Sequence, residues 1–350
     1  MKHLHCTPYS ATIVVGILLS GCGSAGSQVA APSRLTPLQV AILAQRDYNG
    51  YNQYAYVRCG DCRCLWGCNT GCGNNSNKRK GDEWVLVDKD CDGVRAGSIY
   101  AVALLDDNRD SKIAYAGLSN GTVRIAKWTK DRYTKAGILK GLTGIPTGIA
   151  GDFKGNVWVT NSPSATLSEF HRGAKSPSKT YTDPNLASLS YVAVDRRNAV
   201  YVEGQSRASG GIEVDELQAG GTFKSLSASN QLGYTPGGLA VIATGGKAGY
   251  IFVNDQGTPN GPPTITQWLL SGERLIKEGS FGYSGIDTAL SVDPSGKDTA
   301  HVWAANNVSS STEFATSAVE YAFPSGGVVA ATPTTISSSE SFGVAITDAP

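Results

Sequence analysis

Charged side chains are scarce in this chain of 350 residues, and those present nearly cancel. Asp, Glu, Lys and Arg make up 17% of the residues, against about 25% in typical globular proteins. The chain contains 30 Lys and Arg residues and 29 Asp and Glu residues. This balance excludes a basic nucleic-acid-binding protein and a strongly acidic tail, so we expect no nucleic-acid partner.

Methionine and long apolar runs are also scarce. The chain has 1 Met but 42 Gly, and Ser, Thr and Val are abundant. Such a composition disfavours a helical bundle and favours many short strands joined by turns. The apolar run at residues 11–19 is too short to span a bilayer as a helix, and no later segment is apolar enough to do so.

The first 21 residues have the organisation of an export signal. Lys2 precedes the apolar run, which ends in the letters LSGC at Cys22. This ending resembles the lipobox of bacterial lipoproteins, in which the cysteine receives the lipid. The resemblance implies a signal peptide over residues 1–21, lipidation of Cys22 and a membrane anchor made of acyl chains. The alternative is an ordinary cleaved signal peptide with an incidental cysteine.

Localisation follows from the same resemblance. Gly23 after the lipidated cysteine implies a lipoprotein of the outer membrane, in the bacterial cell envelope. Residues 22–35 are rich in Gly, Ser, Ala and Pro and are predicted to form a flexible tether. Thr36 and Pro37 then predict a short N-terminal helix that ends near Gln45, with Thr as the N-cap and Pro at the first helical position.

One strand pattern recurs through the rest of the chain. In each copy a short apolar strand ends near an Asp, a tight turn follows, and a second strand carries an aromatic residue. The small residue of the first strand stands at positions 103, 150, 193, 240, 291 and 345, and the successive differences are 47, 43, 47, 51 and 54 residues. Such a period is typical of four-stranded propeller blades.

The sixth copy, residues 343–347, contains only its first strand. Residues 52–57 match the second-strand pattern and residues 83–88 match the third, so both termini are expected to share one blade. The predicted fold is therefore all-β, with residues 36–350 forming a single six-bladed β-propeller of four-stranded blades. A seven-bladed ring and an incomplete ring are the alternatives.

The segment IAGDFKGNVWV, residues 149–159, resembles the NHL-type repeat of bacterial propeller proteins. That superfamily also includes gluconolactonase-like hydrolases and virginiamycin B lyase. The hydrolases hold a divalent cation in the channel with Glu, Asn and Asp, and Asp287 and Glu340 are the carboxylates in equivalent places here. The lyases use His, and the mature chain has His171 and His301, on strands that should not meet.

The Asp residues that end the first strands, Asp152, Asp195 and Asp293, could suggest a ring of metal ligands. However, Asp followed by Gly or Asn is also what a tight hairpin turn requires. We therefore expect structural turns rather than a metal site. The recurrent tryptophans are likewise expected to pack between blades, and they are Trp84, Trp128, Trp158, Trp268 and Trp303.

Cysteines cluster in a predicted insertion over residues 59–82. Once Cys6 and Cys22 are set aside, six remain, namely Cys59, Cys62, Cys64, Cys68, Cys72 and Cys91. In an exported chain this number predicts up to three disulfides, and their pairing is open. A zinc or iron–sulfur site is the alternative. Trp66, inside the insertion, is a candidate anchor for a partner.

The links between second and third strands are long and share one face with the links that lead into the innermost strands. We expect this face to bind a protein or a glycan, with the insertion contributing to it. Candidate residues at the channel mouth are Thr147, Tyr191, Tyr234, Asp287 and Glu340. The favoured function is binding without catalysis and without a cofactor or metal, although long polar loops are also simply tolerated there. The alternative is a gluconolactonase- or lyase-like hydrolase with Ca²⁺ in the channel.

Overall fold

The computed structural model describes residues 41–47, 53–59, 83–87, 99–108, 111–118, 120–129, 132–243, 248–257, 263–281, 286–293, 301–309, 314–322, 328–331, 335–337 and 339–346. Every regular element in these residues is a β-strand. The described chain thus contains no helix that is long and apolar enough to cross a bilayer.

The strands are short and follow one another closely along the chain. Those of the first half are β1 (Ala41–Asp47), β2 (Gln53–Cys59), β3 (Glu83–Val87), β4 (Ile99–Asn108), β5 (Ser111–Leu118), β6 (Val123–Thr129), β7 (Arg132–Leu139), β8 (Ile145–Gly151), β9 (Val157–Ser162), β10 (Thr166–Phe170), β11 (Lys179–Thr182), β12 (Leu186–Val194) and β13 (Val200–Ser206). Those of the second half are β14 (Ile212–Leu217), β15 (Phe223–Ser225), β16 (Ser227–Ala228), β17 (Pro236–Ala243), β18 (Ala248–Asp255), β19 (Thr264–Ser271), β20 (Arg274–Phe281), β21 (Ile286–Asp293), β22 (His301–Ser309), β23 (Phe314–Ala322), β24 (Val328–Ala331), β25 (Thr335–Ser337) and β26 (Ser339–Ile346).

The described strands form six sheets. From the inner strand outward, sheet 1 is β4-β5-β6-β7, sheet 2 is β8-β9-β10-β11 and sheet 3 is β12-β13-β14-β15. Sheet 4 is β17-β18-β19-β20 with β16 at its outer edge, and sheet 5 is β21-β22-β23-β24 with β25 also paired to β23. The closing sheet is β26-β1-β2-β3. All pairs are antiparallel except β16 with β20.

The inner strands contact one another in cyclic order, β4 with β8, β8 with β12, β12 with β17, β17 with β21, β21 with β26, and β26 with β4. The hydrophobic clusters lie between neighbouring sheets. For example, Trp158 of sheet 2 packs with Leu186 and Leu189 of sheet 3, and Trp268 is 1% exposed in a cluster shared by sheets 3 and 4. This arrangement confirms the predicted all-β propeller and the packing of these two tryptophans between blades.

The prediction of an N-terminal helix is wrong for residues 41–45, which belong to the strand β1. β1 lies in the closing sheet, where Leu43 pairs with Val344 of β26 on one side and with Tyr56 of β2 on the other. The local capping signals at Thr36 and Pro37 are outweighed because a strand here completes two hydrogen-bonded ladders. Residues 36–40 lie outside the described part.

The extra strand shifts the order of the closing sheet by one position. Residues 53–59 form its third strand and residues 83–87 its fourth, instead of the predicted second and third. Because the strands alternate in direction, fourth-to-first and second-to-third links emerge on one face, which we call the loop face. First-to-second and third-to-fourth links emerge on the opposite face, the turn face. The cysteine-rich insertion joins β2 to β3 and, apart from Cys59, lies outside the described residues. The end of β2 and the start of β3, to which it is attached, are on the turn face and not on the predicted binding face.

Candidate functional site at the loop face

Each described inner strand carries a β-bulge at the same level. The strand register skips one residue in every case, and these residues are Tyr100, Thr147, Ser190, Gly237, Ala289 and Phe342. A bulge bends its strand and redirects the neighbouring side chains, as is common at rims and binding sites. The repeated bulges mark the level at which the loop face meets the inner strands.

Thr147, a predicted mouth residue, joins two sheets. Its hydroxyl donates to the carbonyl oxygen of Leu189 at 3.1 Å and lies 3.2 Å from the Thr160 hydroxyl. Thr160 in turn donates to the carbonyl oxygen of Ser190 at 3.1 Å. These hydrogen bonds hold sheet 2 against the bulge of sheet 3. Thr147 is therefore a structural residue of the blade contact.

Tyr191 lies just after the bulge of sheet 3 and pairs across the strands with Glu203 of β13. Glu203 is fully buried, and burial raises the pKa of its carboxyl group well above the ordinary value. The backbone N–H groups of Gly237 and Gly238 oppose this rise, whereas the negative charge of Asp255 adds to it. No described donor completes a well-formed hydrogen bond with either carboxylate oxygen. This environment favours the neutral, protonated form of Glu203.

The Tyr191 hydroxyl responds to the same surroundings. Burial raises its pKa above the ordinary value, and the negative charge of Glu203 raises it further. Tyr191 therefore remains a neutral hydroxyl that can donate or accept a hydrogen bond. The structure brings this predicted residue together with a buried acid of the neighbouring strand.

Tyr234, just before β17, is 55% exposed on the loop face. Its backbone N–H donates to Asp255 Oδ1 at 3.2 Å, and Thr235 and Gly257 donate to the same oxygen at 3.0 Å each. Gln205 Nε2 donates to the Tyr234 carbonyl oxygen at 3.4 Å. The chain around this exposed ring is thus held in place by polar side chains of two neighbouring sheets.

We refer to these five residues as the loop-face cluster, and they are Tyr191, Glu203, Gln205, Tyr234 and Asp255. Tyr191, Glu203 and Gln205 come from sheet 3, and Tyr234 and Asp255 come from sheet 4. The cluster offers the exposed ring of Tyr234 with the amide of Gln205 and the carboxylate of Asp255 beside it, while Glu203 is fully buried beneath Tyr191 on the paired strand. Such a combination can stack against an apolar surface and hydrogen-bond a polar ligand.

For the other two predicted mouth residues, Asp287 and Glu340, the structure describes only the backbone position. Asp287 and Glu340 each stand two residues before the bulge of their inner strands, and they pair with Asn306 and Arg46. They therefore occupy equivalent positions on neighbouring inner strands, and their side chains lie outside the described part. Trp66 and Cys22, the predicted lipid site, lie outside it too, as do the side chains of the six cysteines.

The titratable residues that a hydrolase or lyase would use are placed as follows in the described part of the chain. They contain no group of three His, Cys, Asp or Glu residues that could hold a metal ion. His171 lies on a third-to-fourth link and its side chain is 66% exposed, while His301 begins β22 in sheet 5. Both positions belong to the turn face, in sheets that do not adjoin.

The second-strand members of the cluster were missed by sequence reasoning, which considered only inner strands. A signal was present, because the residue paired just after the bulge is Thr160 in sheet 2, Glu203 in sheet 3 and Asn254 in sheet 4. An acidic residue, Glu203, occupies in sheet 3 the position at which sheets 2 and 4 have the neutral residues Thr160 and Asn254, and this difference distinguishes sheet 3. Asp255 follows directly after the equivalent Asn254.

Comparisons with known proteins extend this description only slightly. No family model matches the chain, and no curated protein matches its sequence. Among solved structures, the chain is similar to hydrazine synthase from Kuenenia stuttgartiensis, with a TM-score of 0.47, 14% identity and coverage of 73% of each chain. It is also similar to a gluconolactonase from Xanthomonas campestris, with a TM-score of 0.47, 16% identity, and coverage of 64% of this chain and 73% of that one.

At such scores neither likeness carries an argument about activity. The propeller rests on the sheet order and on the cyclic contacts of the inner strands. Membership of the NHL-type or gluconolactonase-like group stays a prediction.

Proposed function

We propose that this protein is a lipid-anchored binding module of the bacterial cell envelope, whose propeller binds a protein or a glycan through the loop-face cluster. The anchor is inferred from the lipobox-like ending at Cys22. The proposal does not rely on the cysteine-rich insertion, because the end of β2 and the start of β3, to which it is attached, are on the turn face.

One observation carries the binding proposal, namely the exposed ring of Tyr234 on a fixed backbone. More than half of this side chain is open to solvent, at 55%. Its backbone is fixed by Asp255 and Gln205, so binding would order few groups that are not already ordered. Aromatic residues with polar neighbours commonly dominate the binding energy of protein interfaces.

The test uses a chain beginning at residue 36, screened against a printed array of bacterial glycans and against an envelope fraction by crosslinking from position 234. Against the glycan or protein so identified, Tyr234→Ala should lower the affinity at least about tenfold, as expected for a central aromatic contact. The thermal midpoint should not change, because the ring is exposed.

Phe153→Ala is the matched control. Phe153 is equally exposed, at 54%, but lies on the first-to-second turn of sheet 2, on the turn face. Its removal should leave the affinity unchanged. Equal losses for the two variants, or a loss for Phe153→Ala alone, would contradict a binding site on the loop face.

A further inference from the structure

A second group of buried acids lies between sheets 2 and 3, apart from the loop-face cluster. Asp183 follows β11 on the link that leads into β12, and Asp215 lies on β14, the third strand of sheet 3. Both side chains are 0% exposed. Two buried carboxyl groups from neighbouring sheets therefore meet at one blade contact.

Asn185 contacts both carboxyl groups. Its backbone N–H donates to Asp183 Oδ1 at 2.8 Å, and its side-chain Nδ2 donates to Asp215 Oδ2 at 2.7 Å. The remaining oxygens, Asp183 Oδ2 and Asp215 Oδ1, are buried and make no well-formed hydrogen bond among the described residues. The backbone N–H of Leu186 and the Ser225 hydroxyl lie beside the pair and favour its charged form only in part. Asn185 thus bridges the two carboxyl groups, and each carboxyl group alters the pKa of the other.

Two ionised carboxylates bridged in this way repel, whereas one proton between them supplies the missing hydrogen bond. Burial raises the pKa of Asp215 to about 7. The hydrogen bond from Asn185 opposes that rise, and the negative charges of Asp183 and Glu213 add to it. Burial likewise raises the pKa of Asp183, against the hydrogen bonds from Asn185, Asp215 and the backbone of Leu186.

The charged surroundings contain nothing that would neutralise the pair. Glu213 of β14 is the one other charged side chain found to act on it among the described residues, and it is an acid. Ser225 of β15 donates its hydroxyl to Glu213 Oε1 at 2.5 Å and also lies beside Asp215. Arg207 contributes only its backbone here, since its N–H donates to the Asn185 carbonyl oxygen at 2.9 Å and its side chain is exposed.

We propose that Asp183 and Asp215 form a proton-sharing clasp between sheets 2 and 3, which opens when the shared proton is lost. With both groups ionised, their repulsion separates the link at Asp183 and Asn185 from β14. The hydrogen bond from Arg207 to Asn185 then weakens as well. The link that contains Asp183 and Asn185 and the link that contains Arg207 both belong to the loop face. The clasp therefore makes this part of the loop face sensitive to pH.

A bound cation could also neutralise the pair. The described residues hold no set of three acidic, His or Cys side chains arranged for a metal ion. One proton is sufficient to satisfy both free oxygens, so the geometry points to a proton.

The test measures thermal unfolding of the full chain, in mild detergent, from about pH 4 to about pH 9. The folded protein keeps a proton that the unfolded chain releases near its ordinary Asp pKa, so stability should fall as the pH rises from about 4 to about 7. Glu203 also keeps a proton in the folded protein and contributes to the same fall. Asp215→Asn, which can still donate to Asp183, should therefore make the fall smaller without abolishing it, and should melt on the order of 5 °C higher than the natural chain at alkaline pH.

Asp183→Asn serves as a second variant should Asp215→Asn fail to fold, and it should make the fall smaller in the same way. Glu278→Gln, at an exposed position of β20, is the control and should keep the natural pH profile. Amide hydrogen exchange at Arg207, compared at one alkaline pH, should be slower in Asp215→Asn than in the natural chain.

Two results would overturn the clasp. The first is an unchanged pH profile in a folded Asp215→Asn or Asp183→Asn variant. The second is a rise in the melting midpoint of the natural chain, but not of Asp215→Asn, when millimolar calcium chloride is added at alkaline pH. That second result would show that a cation, and not a proton, joins the two carboxylates.

Discussion

Asp195 and Asp152 hold equivalent turns in neighbouring sheets, and each is nearly buried. The Asp195 carboxylate accepts hydrogen bonds from the backbone N–H groups of Arg197 and Ala199, at 2.8 and 2.9 Å. Asp152 accepts from Lys154 and Asn156 in the same way, at 2.9 and 2.8 Å. These contacts confirm the structural interpretation of both residues.

Replacing Asp195 with Ala should lower the free energy of unfolding by about 3 kcal/mol, because two backbone donors and a guanidinium lose a charged acceptor in a buried turn. Arg197→Ala keeps the Asp195 carboxylate and its two backbone donors, and removes the ion pair with Asp195 together with the contact between Arg197 and Tyr201. Since 41% of the arginine side chain is exposed, that loss should stay below about 1 kcal/mol. Urea unfolding of both variants measures the difference, and equal losses would contradict a role for Asp195 in holding the turn.

The structural role of these turn residues could be predicted from the sequence because the backbone conformation of the turn itself selects each amino-acid type. Gly155 adopts a φ of 83° and Asn198 a φ of 63°, and each is the third residue after the Asp that begins its turn, Asp152 or Asp195. The burial of Glu203 has no such local cause. It depends on the bulge of sheet 4, which stands more than thirty residues further along the chain.

At the scale of the element, the bulged inner strands fix how closely two sheets approach. Gly148 of β8 lies directly after its bulge. A Cβ atom there would stand 2.8 Å from the Tyr191 Cα and 3.0 Å from the Ser190 carbonyl oxygen, both on the inner strand of the next sheet. The absence of a side chain at position 148 is therefore needed for this blade contact.

Gly148→Ala should destabilise the fold by about 1–3 kcal/mol, since two of the three atoms that its Cβ meets are backbone atoms that cannot turn aside and the third is the hydrogen-bonded Thr160 hydroxyl. Gly220→Ala, in the turn between β14 and β15, is the control because a Cβ there would have nothing within 4 Å. Its effect should remain within about 0.5 kcal/mol. Thermal unfolding of the two variants measures these effects. An unchanged thermal midpoint for Gly148→Ala would mean that the inner strands are packed less closely than described.

The strand β1 shows why its secondary structure could not be predicted from the local sequence alone. Thr36 and Pro37 carry ordinary helix-start signals, but the residues after them are selected by their partners in β26 and β2. Local sequence does not contain those partners, which stand about three hundred residues away in one case. Because β1 was missed, β2 and β3 were taken as the second and third strands of the closing sheet instead of the third and fourth. The insertion that joins them was therefore assigned to the wrong face.

At the scale of the whole molecule, the repeat period was enough to predict a propeller and the sharing of one sheet by both termini. The period is a property of each blade, since every sheet must bury its faces against its neighbours. The loop-face cluster and the acidic clasp could not be predicted in this way. Both join side chains of two neighbouring sheets, and the repeat does not specify which residue types meet across that contact.

The closing sheet also determines how the ring should respond to shortening. A chain that begins at residue 48 lacks β1, so β26 and β2 both lose the strand that joins them. Their unpaired edges would be open to water and to other chains. We expect its melting midpoint to fall by at least about 10 °C relative to a chain beginning at residue 36, and we expect self-association.

Light scattering and thermal unfolding of the two chains test this expectation. Leu43→Pro in the longer chain is a second variant, because proline in a strand paired on both sides removes a ladder hydrogen bond. It should cause a comparable loss at full length, whereas a peripheral helix at the same residues could be deleted at little cost. Equal stability of the two chains would therefore mean that the ring closes without β1, and the insertion would return to the loop face.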